Sequence, residues 1–594
     1  MNQDQIWLYD LETAGGFSVN VLCACAENLG TREKFTFYSA EELAKFVWET
    51  GGTWIAHNGG GYDHLILLPF FPMAPCSVIL AGGNILRATW MKKRCGVRVV
   101  LRDSLPWWLC PLDKVARALG LEKNRQGLDQ SRLETYPIAL VAEYCRDDVS
   151  ILAEGVRAAL QAEEHWGARH AWTSGSTGIS IFRALEPEAW YWLKSHRLNR
   201  YSLRVLLKMC PPKAGRAEIF WVGHYRDAYA YDIHSSWPYS YLEGGKRIPV
   251  GWDHSRRGSC RASLHLVRFY REPGPPGDVA AVRGASDVTR GGMRALSGTL
   301  GAGRLRALVV EEELELLRQD PQVIFGPVVL QSWYPRKWVE LFGHKFVEEL
   351  YREKQGGGDY SFFAKCWINA AGGKWGERPG KIQYVWSEER QMLIPVRAGE
   401  SPLLSREVIG PHQQPLTYHC VTGRARARLS SVMMGLVGTG WRVYCCDTDG
   451  LKTDAPPSAF DRVARACGQR IGDECGDWGV EGEHLELVPV APKVYATKRP
   501  EDSPERAKIR AKGQSIRRLT WKDLLDVVDG AVKQIGRDGL KKFRSTYARG
   551  EPTGPYRDDE TRTLRVRHLG KRRHPSGGLS YEVPYDIDSP DRSC

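Results

Sequence analysis

Carboxylates recur in this chain at spacings that suit divalent metal ions. Asp10 and Glu12 stand two apart in Trp7-Leu8-Tyr9-Asp10-Leu11-Glu12-Thr13. On a β-strand residues i and i+2 face the same side, so the two can share an ion. Asp63 follows Ala56-His57-Asn58-Gly59-Gly60-Gly61-Tyr62, which reads as a strand ending in a glycine turn. That turn lacks the G-x-G-x-x-G spacing and the following Lys-Ser/Thr of a phosphate loop. Asp148 closes Tyr144-Cys145-Arg146-Asp147-Asp148, and Tyr144 and Asp148 lie i, i+4 on one helix face. An Asp-x-Glu alone is commonplace. Four acids and a tyrosine in this order can hold two divalent ions that activate water against a phosphodiester.

A second set follows downstream. Asp232 lies in Tyr231-Asp232-Ile233-His234-Ser235-Ser236-Trp237-Pro238, where a strand ends and a helix opens. Backbone N–H groups at such a helix start can receive a triphosphate. Asp447 and Asp449 lie in Tyr444-Cys445-Cys446-Asp447-Thr448-Asp449-Gly450, a strand running into a tight Asp-Gly turn. Two strands from distant sequence can thereby bring Asp232 and Asp447 around a metal pair. Between them Lys365 and Asn369 share a helix face and offer a cation and a polar group to phosphate. Lys493 and Tyr495 follow a later strand and can grip a nucleic-acid backbone. Each piece has a bland alternative: a surface lysine, an ordinary hairpin.

The elements that must position these residues are legible in outline. Strands are predicted at Ile6–Leu11, Ser18–Ala26, Phe35–Tyr38, Thr53–Ala56 and Val97–Leu101. Helices are predicted from a capping box at Ser39 and Glu42 to about Glu49, and at His64–Leu68, Leu112–Leu119 and Ile138–Leu160. This is a mixed α/β layer of the ribonuclease-H type. Beyond Pro187 a strand, Asp227–Ile233, leads into Ser235–Leu242, and Arg271–Arg304 reads as irregular or mobile. Helices are expected at Val310–Arg318, Lys337–Lys354 and Tyr360–Ala371, the last two paired across Gly356-Gly357-Gly358. A β-rich piece, Gly376–Pro415, precedes a basic helix near Arg424–Leu436, then strands Trp441–Cys446 and Leu485–Val490.

Composition sets the bounds. The 594 residues exceed one domain, and 42% hydrophobic content excludes wholesale disorder. A net charge of +13 favours a polyanionic partner. The 15 cysteines contain no C-x-x-C pair and are expected as buried thiols in a reducing cytoplasm. No apolar run approaches the roughly 18 to 20 residues needed to cross a bilayer, so no membrane partner is expected.

In order, the two sets resemble the proofreading motifs and the polymerase motifs A, B, C and Lys-x-Tyr of family B DNA polymerases. The resemblance implies an α/β multidomain protein with a ribonuclease-H-like 3′→5′ exonuclease followed by a right-hand polymerase of palm, fingers and thumb with two insertions. It divides the chain into exonuclease (1–186), palm (187–250 and 416–500), fingers (332–375), thumb (501–594) and insertions at 251–331 and 376–415. It implies that Asp10, Glu12, Asp63, Asp148, Asp232 and Asp447 are metal ligands for Mg²⁺ or Mn²⁺, two per active site. Asp449 joins the catalytic group, and Tyr144 orients water. His57, Asn58, Tyr62, Ser104 and Leu105 would hold a frayed primer terminus, with Lys123 near the scissile phosphate. Lys365, Asn369, Ser235 and Trp237 would line the nucleotide pocket. Lys493, Tyr495 and Lys512 would bind DNA.

Three departures bear on that pocket. Trp237 stands where the family has a tyrosine gate, Gly372 where it has the partner tyrosine, and Gly450 where it has serine. One reading is that Trp237 fills the space left at Gly372; the other is drift. Trp221-Val222-Gly223-His224 is a degraded form of the family's Tyr-x-Gly-Gly linker. The absence of a domain ahead of residue 10, and the two insertions, resemble protein-primed polymerases of bacteriophages and linear plasmids. That implies a monomeric, strand-displacing enzyme acting on primer–template DNA, deoxynucleoside triphosphates and a terminal protein, in a host cytoplasm if viral. A primer-independent polymerase, or a nuclease or nucleic-acid-binding protein without synthesis, remain the alternatives.

Overall fold

The computed structural model describes residues 2–15, 20–81, 83–91, 98–121, 128–195, 215–255, 264–283, 285–286, 301–340, 343–376, 382–387, 392–395, 414–511, 519–536, 561–565, 571–573, 576 and 578–581. Its architecture is α/β, and two large sheets carry the two sets of carboxylates.

The first sheet has nine strands, in the order Met392–Pro395, Ile382–Ser387, Ser77–Ala81, Asn84–Met91, Arg98–Asp103, Gly52–Ala56, Ile6–Thr13, Val21–Asn28, Lys34–Phe37. Only the pairs around Gly52–Ala56 are parallel. Alternation along Ile6–Thr13 sorts its side chains. Trp7, Tyr9 and Leu11 pack with Leu43, Ala44 and Val47 of helix Ala40–Thr50. Ile6 and Leu8 face the opposite side, among Val141, Cys145 and Val149 of helix Ile138–His165. Asp10 and Glu12 share the parity of Ile6 and Leu8 and so belong to the long helix's side. Ser39 caps helix Ala40–Thr50 as expected: its Oγ accepts from Glu42 N at 3.1 Å, while the Glu42 carboxylate accepts from Tyr38 N.

The second sheet is antiparallel and has seven strands, ordered Lys508–Ala511, Val494–Lys498, Trp478–Ala491, Tyr225–Ile233, Gly450–Thr453, Val443–Thr448, Arg216–Ile219. One face is covered by helices Pro415–Gly438 and Pro457–Ala466, which bury Tyr229, Tyr231, Ile233, Cys446 and Leu451. The alternate positions, including Asp232 and Asp447, therefore take the other face. A five-stranded antiparallel sheet is built from Arg247–Ser255, Val323–Glu340, Leu264–Arg271, Gly303–Val310 and Ala285–Ser286. Helices His344–Gly356 and Ser361–Trp375 form a hairpin packed on Ser174–Leu185, and one continuous core runs from Ile6 and Trp107 to Trp367 and Trp375.

The structure corrects two expectations, the start of one helix and the burial of Cys76, and adds detail to two others. The helix expected over Lys337–Lys354 begins only at His344, because residues up to Glu340 continue strand Val323–Glu340 and pair with Arg247–Ser255. The stretch expected to be irregular carries no helix or strand over residues 272–283, as expected, although its Val279, Ala280, Ala281 and Val282 are buried; residues 284 and 287–300 lie outside the described residues. The basic helix has internal partners: Arg424 Nε lies 3.2 Å from Glu312 and Arg426 Nε 2.9 Å from Glu313. Cys76 is exposed rather than buried. The hairpin Ser77–Ala81/Asn84–Met91 and the helices Ser174–Leu185 and Pro187–Ser195 carried no sequence expectation. Among the described residues no helix is long and apolar enough to cross a membrane.

The five-stranded sheet is tied down by Arg271, which is 0% exposed. Its guanidinium bonds Asp278 at 2.7 Å and Asp320 at 2.8 Å. Removing one member of a buried ion pair strands its partner's charge and costs about 3–5 kcal/mol. Arg271→Ala is expected to lower the unfolding free energy by that order and to expose residues 264–340 to limited proteolysis first. Unchanged stability would mean that water reaches both carboxylates.

Candidate active sites

The N-terminal cluster forms where strand Ile6–Thr13 meets helix Ile138–His165. Ligand atoms of Asp10, Glu12 and Cys145 all lie within 4.8 Å of one another. Cys145 was not foreseen as a member. Its position beside Tyr144 gave no chemical signal, and it arrives because its Sγ donates to the Asp10 carbonyl oxygen at 3.5 Å. Asp63 and Asp148 stand outside this tight group, both buried. Asp148 lies one helical turn beyond Tyr144 as its spacing required. The Tyr144 hydroxyl accepts from Gln130 Nε2 at 2.6 Å.

The glycine turn has a steric reason. A Cβ on Gly60 would strike the Ile85 carbonyl, and Asp103 Oδ2 lies 3.1 Å from its ideal position. Asp103, another unforeseen member, accepts from Gly60 N at 3.2 Å and Leu105 N at 2.9 Å and so fixes the turn that delivers Asp63. Asn58 adopts the left-handed conformation at φ 61°. His57 Nδ1 meets Ser104 Oγ at 3.0 Å, and its ring stacks on Trp108. Tyr62 hydrogen-bonds Thr13. His57, Asn58, Tyr62, Ser104 and Leu105 therefore gather around one turn. Lys123 lies outside the described residues.

Burial dominates the electrostatics here. It pushes the Asp63 carboxyl up to about 7, with Asp103 adding repulsion and backbone N–H donors opposing. Burial also pushes Asp103 up to about 6. Asp63 Oδ1 is buried with no hydrogen-bond partner. Oxygen donors left bare in a low-dielectric pocket are what a hard divalent cation satisfies. The residues fit such an ion, Asp10 and Glu12 being the two carboxylates that lie within 4.8 Å of each other.

The second cluster forms where Gly450–Thr453 pairs with Tyr225–Ile233, Gly450 lying opposite Asp232. A Cβ on Gly450 would stand 2.6 Å from Asp232 Oδ1, so the carboxylate occupies the space a serine would need. Burial raises Asp232 to about 7, aided by Asp449, Glu481 and Asp447 against Lys452. Burial raises Asp449 to about 6, aided by Asp447. Lys493, at φ 62°, pairs with Asp447 at 2.7 Å and donates to Thr448 Oγ1 at 3.1 Å. Tyr495 lies buried beside it on the next strand. The three aspartates open onto a cavity of about 390 Å³. Mutual repulsion of facing carboxylates and an oxygen-only donor set again fit divalent ions.

Cations border this cluster on the helical side. Lys365 and Asn369 are exposed on one face of Ser361–Trp375, as their spacing predicts, and Asn369 Nδ2 donates to the Lys365 carbonyl at 3.3 Å. The sequence reading missed Lys354. Its Nζ donates to Ser235 Oγ at 2.8 Å, and burial, then Lys365, lowers its pKa. Its helical position was legible; its neighbour Ser235 was not. Gly372 also receives a different explanation. A Cβ there would collide with the Tyr241 hydroxyl, while Trp237 Cε3 lies 3.6 Å away. Tyr241, fully buried, is thus the main occupant of that space, and Trp237 packs edge-on to Tyr418 at 5.7 Å. Lys512 lies outside the described residues.

At the level of sequence, no family model and no curated protein matches the chain. Solved structures do. Phi29 DNA polymerase complexed with primer-template DNA superposes with a TM-score of 0.70 at 15% identity, over 94% of this chain and 100% of that one. The chain has the fold of a DNA polymerase. Phi29 DNA polymerase in its ternary complex with primer-template and incoming nucleotide gives a TM-score of 0.68 at 15% identity, with the same coverage. Its complex with single-stranded DNA gives 0.67 at 16% identity.

The raised Asp63 has a measurable consequence. The folded chain keeps that proton to about pH 7, whereas an unfolded aspartate loses it near 4. Between those values the folded state binds more protons, so ionisation removes stability as pH rises. With chelator present, Asp63→Asn is expected to raise the melting temperature by a few degrees at pH 8 and leave it unchanged at pH 4. A gain of equal size at both pH values would show that the carboxyl is not the source.

Proposed function

We propose that this chain is a DNA-directed DNA polymerase carrying a 3′→5′ proofreading exonuclease. The observation that carries this reading is the pair of carboxylate clusters, each on its own sheet, within a fold shared with phi29 DNA polymerase across 94% of the chain. The domain limits expected from sequence stand as part of the proposal.

At the second cluster, Asp232 and Asp447 would hold Mg²⁺ or Mn²⁺, with Asp449 beside them. Bound ions there would neutralise phosphate charge and favour a 3′-hydroxyl nucleophile. Lys354 and Lys365 offer ammonium groups to the phosphates of an incoming nucleotide, and Ser235 holds Lys354 in place. Asn369 and Trp237 line the same pocket, Trp237 at the sugar. Lys493, which pairs with Asp447, would contact the primer strand. Tyr495 and Lys512 complete the DNA contacts. At the first cluster Asp10, Glu12, Asp63 and Asp148 would hold the ions, Tyr144 orients water, and His57, Asn58, Tyr62, Ser104 and Leu105 hold the frayed end.

The test uses a labelled primer–template and Mg²⁺. Asp10→Ala with Glu12→Ala should reduce 3′ shortening by at least about a thousandfold and leave extension within a few-fold. Asp447→Ala should do the reverse. Loss of both activities from either change in a folded protein would refute the two-site assignment, and shortening without any extension by the unmodified enzyme would favour a nuclease.

Protein priming is the more specific proposal. It is supported by the five-stranded insertion between Asp232 and the Lys365 helix, and by the whole-length likeness to phi29 DNA polymerase. Deleting Gly284–Gly303 should sharply lower initiation on a cognate terminal protein while an ordinary DNA primer is still extended. Copying of a bare template with no protein present would replace this reading with the primer-independent one.

A further inference from the structure

The sheet face that carries Asp232 and Asp447 also carries Lys452, which no motif accounts for. We infer that Lys452 binds the phosphate joining the last two nucleotides of the primer strand. The inference rests on the polymerase reading above.

Register gives the distance. Gly450 lies opposite Asp232 and Lys452 opposite Ala230, so Lys452 is one pleat from the carboxylate row on the same face. Two residues along a strand span roughly 7 Å, comparable with the separation of neighbouring phosphates on one nucleic-acid strand. Direction follows from the other cations. Lys354, Lys365 and Ser235 lie beyond the Ile233 end of strand Tyr225–Ile233, toward the helices. Lys452 lies the opposite way. A nucleotide entering from the helical side and a 3′ end at Asp232 and Asp447 leave the primer to run over Lys452.

The chemistry of the neighbourhood agrees. Lys493 is paired with Asp447 and Lys498 with Glu486. Lys452 makes no hydrogen bond or ion pair among the described residues, and its Nζ sits 5.2 Å from the centroid of the Tyr495 ring. It opens into the 390 Å³ cavity, which Arg499, Arg506, Lys508 and Arg510 also line, with Glu481 and Asp502 among them. The same cavity thus offers further cations to neighbouring phosphates. An aromatic floor under an ammonium leaves its donors directed into the cavity.

The experiment compares the full-length protein with Lys452→Gln and Lys452→Arg, each checked by circular dichroism. Binding of a recessed-end primer–template is measured by fluorescence anisotropy across a salt series without nucleotides. A second duplex carries an uncharged methylphosphonate at the last primer linkage. Lys452→Gln should weaken binding about five- to tenfold at low salt and flatten the slope of log K against log salt by about 0.9. Lys452→Arg should restore both. The methylphosphonate should weaken the unmodified protein by a similar factor and have no further effect on Lys452→Gln. If the uncharged linkage weakens both proteins equally, or neither, the lysine does not touch that phosphate and the inference is overturned. If the unmodified protein neither binds nor extends the primer–template, the polymerase reading itself has failed, and this inference with it.

Discussion

Ionised carboxylates that share a half-buried pocket repel one another, and burial raises the cost of each charge. Much else in the molecule is arranged around that fact. Asp232 and Asp449 are driven toward neutrality by burial and by their neighbours, and Asp447 is paired with Lys493. Asp63 faces the same pressure with one oxygen left bare. Such pockets persist only if rigid elements force the carboxylates together. Both clusters sit on strands whose alternate residues are locked into large apolar cores, so the acids have no freedom to turn away.

The two clusters reach this end with the same device. On Ile6–Thr13 the odd positions are fixed by helix Ala40–Thr50, leaving Asp10 and Glu12 on the other face. On Tyr225–Ile233 the residues Tyr229, Tyr231 and Ile233 are fixed by helices, leaving Asp232 on the other face. Close backbone approach completes each site. Gly60 lets the turn before Asp63 pass strand Asn84–Met91, and Gly450 makes room for the Asp232 carboxylate. The continuous core between the N-terminal sheet and the helical hairpin of Lys365 couples the two halves mechanically.

Sequence made the carboxylates and their strands legible because period-two patterning and i, i+4 spacing are local signals. The same locality explains the failures. Cys145, Asp103 and Lys354 matter through neighbours that are distant in sequence, and nothing in their own surroundings marks them. Tyr241 was overlooked beside Trp237 for that reason: only the packed structure puts its hydroxyl against Gly372. The extended run Val323–Glu340 was read in part as helix because its pairing partner, Arg247–Ser255, lies some 80 residues earlier. The arginines of helix Pro415–Gly438 marked it as basic, but that they face Glu312 and Glu313, over 100 residues earlier, could be read only from the packed structure.

The pairing of Ile382–Ser387 with Ser77–Ala81 has a consequence for how the chain is made. The N-terminal sheet is otherwise assembled from residues that leave the ribosome early. Its edge at Ser77–Ala81 must then wait for roughly 300 further residues before a partner strand exists. At synthesis rates of about 5–20 residues per second that is a delay of some 15 to 60 seconds. Throughout it, an unpaired row of N–H and C=O groups is available to other chains. Strand Ile382–Ser387 is therefore also the protection of that edge against edge-to-edge aggregation, and the nascent protein is most vulnerable during that interval.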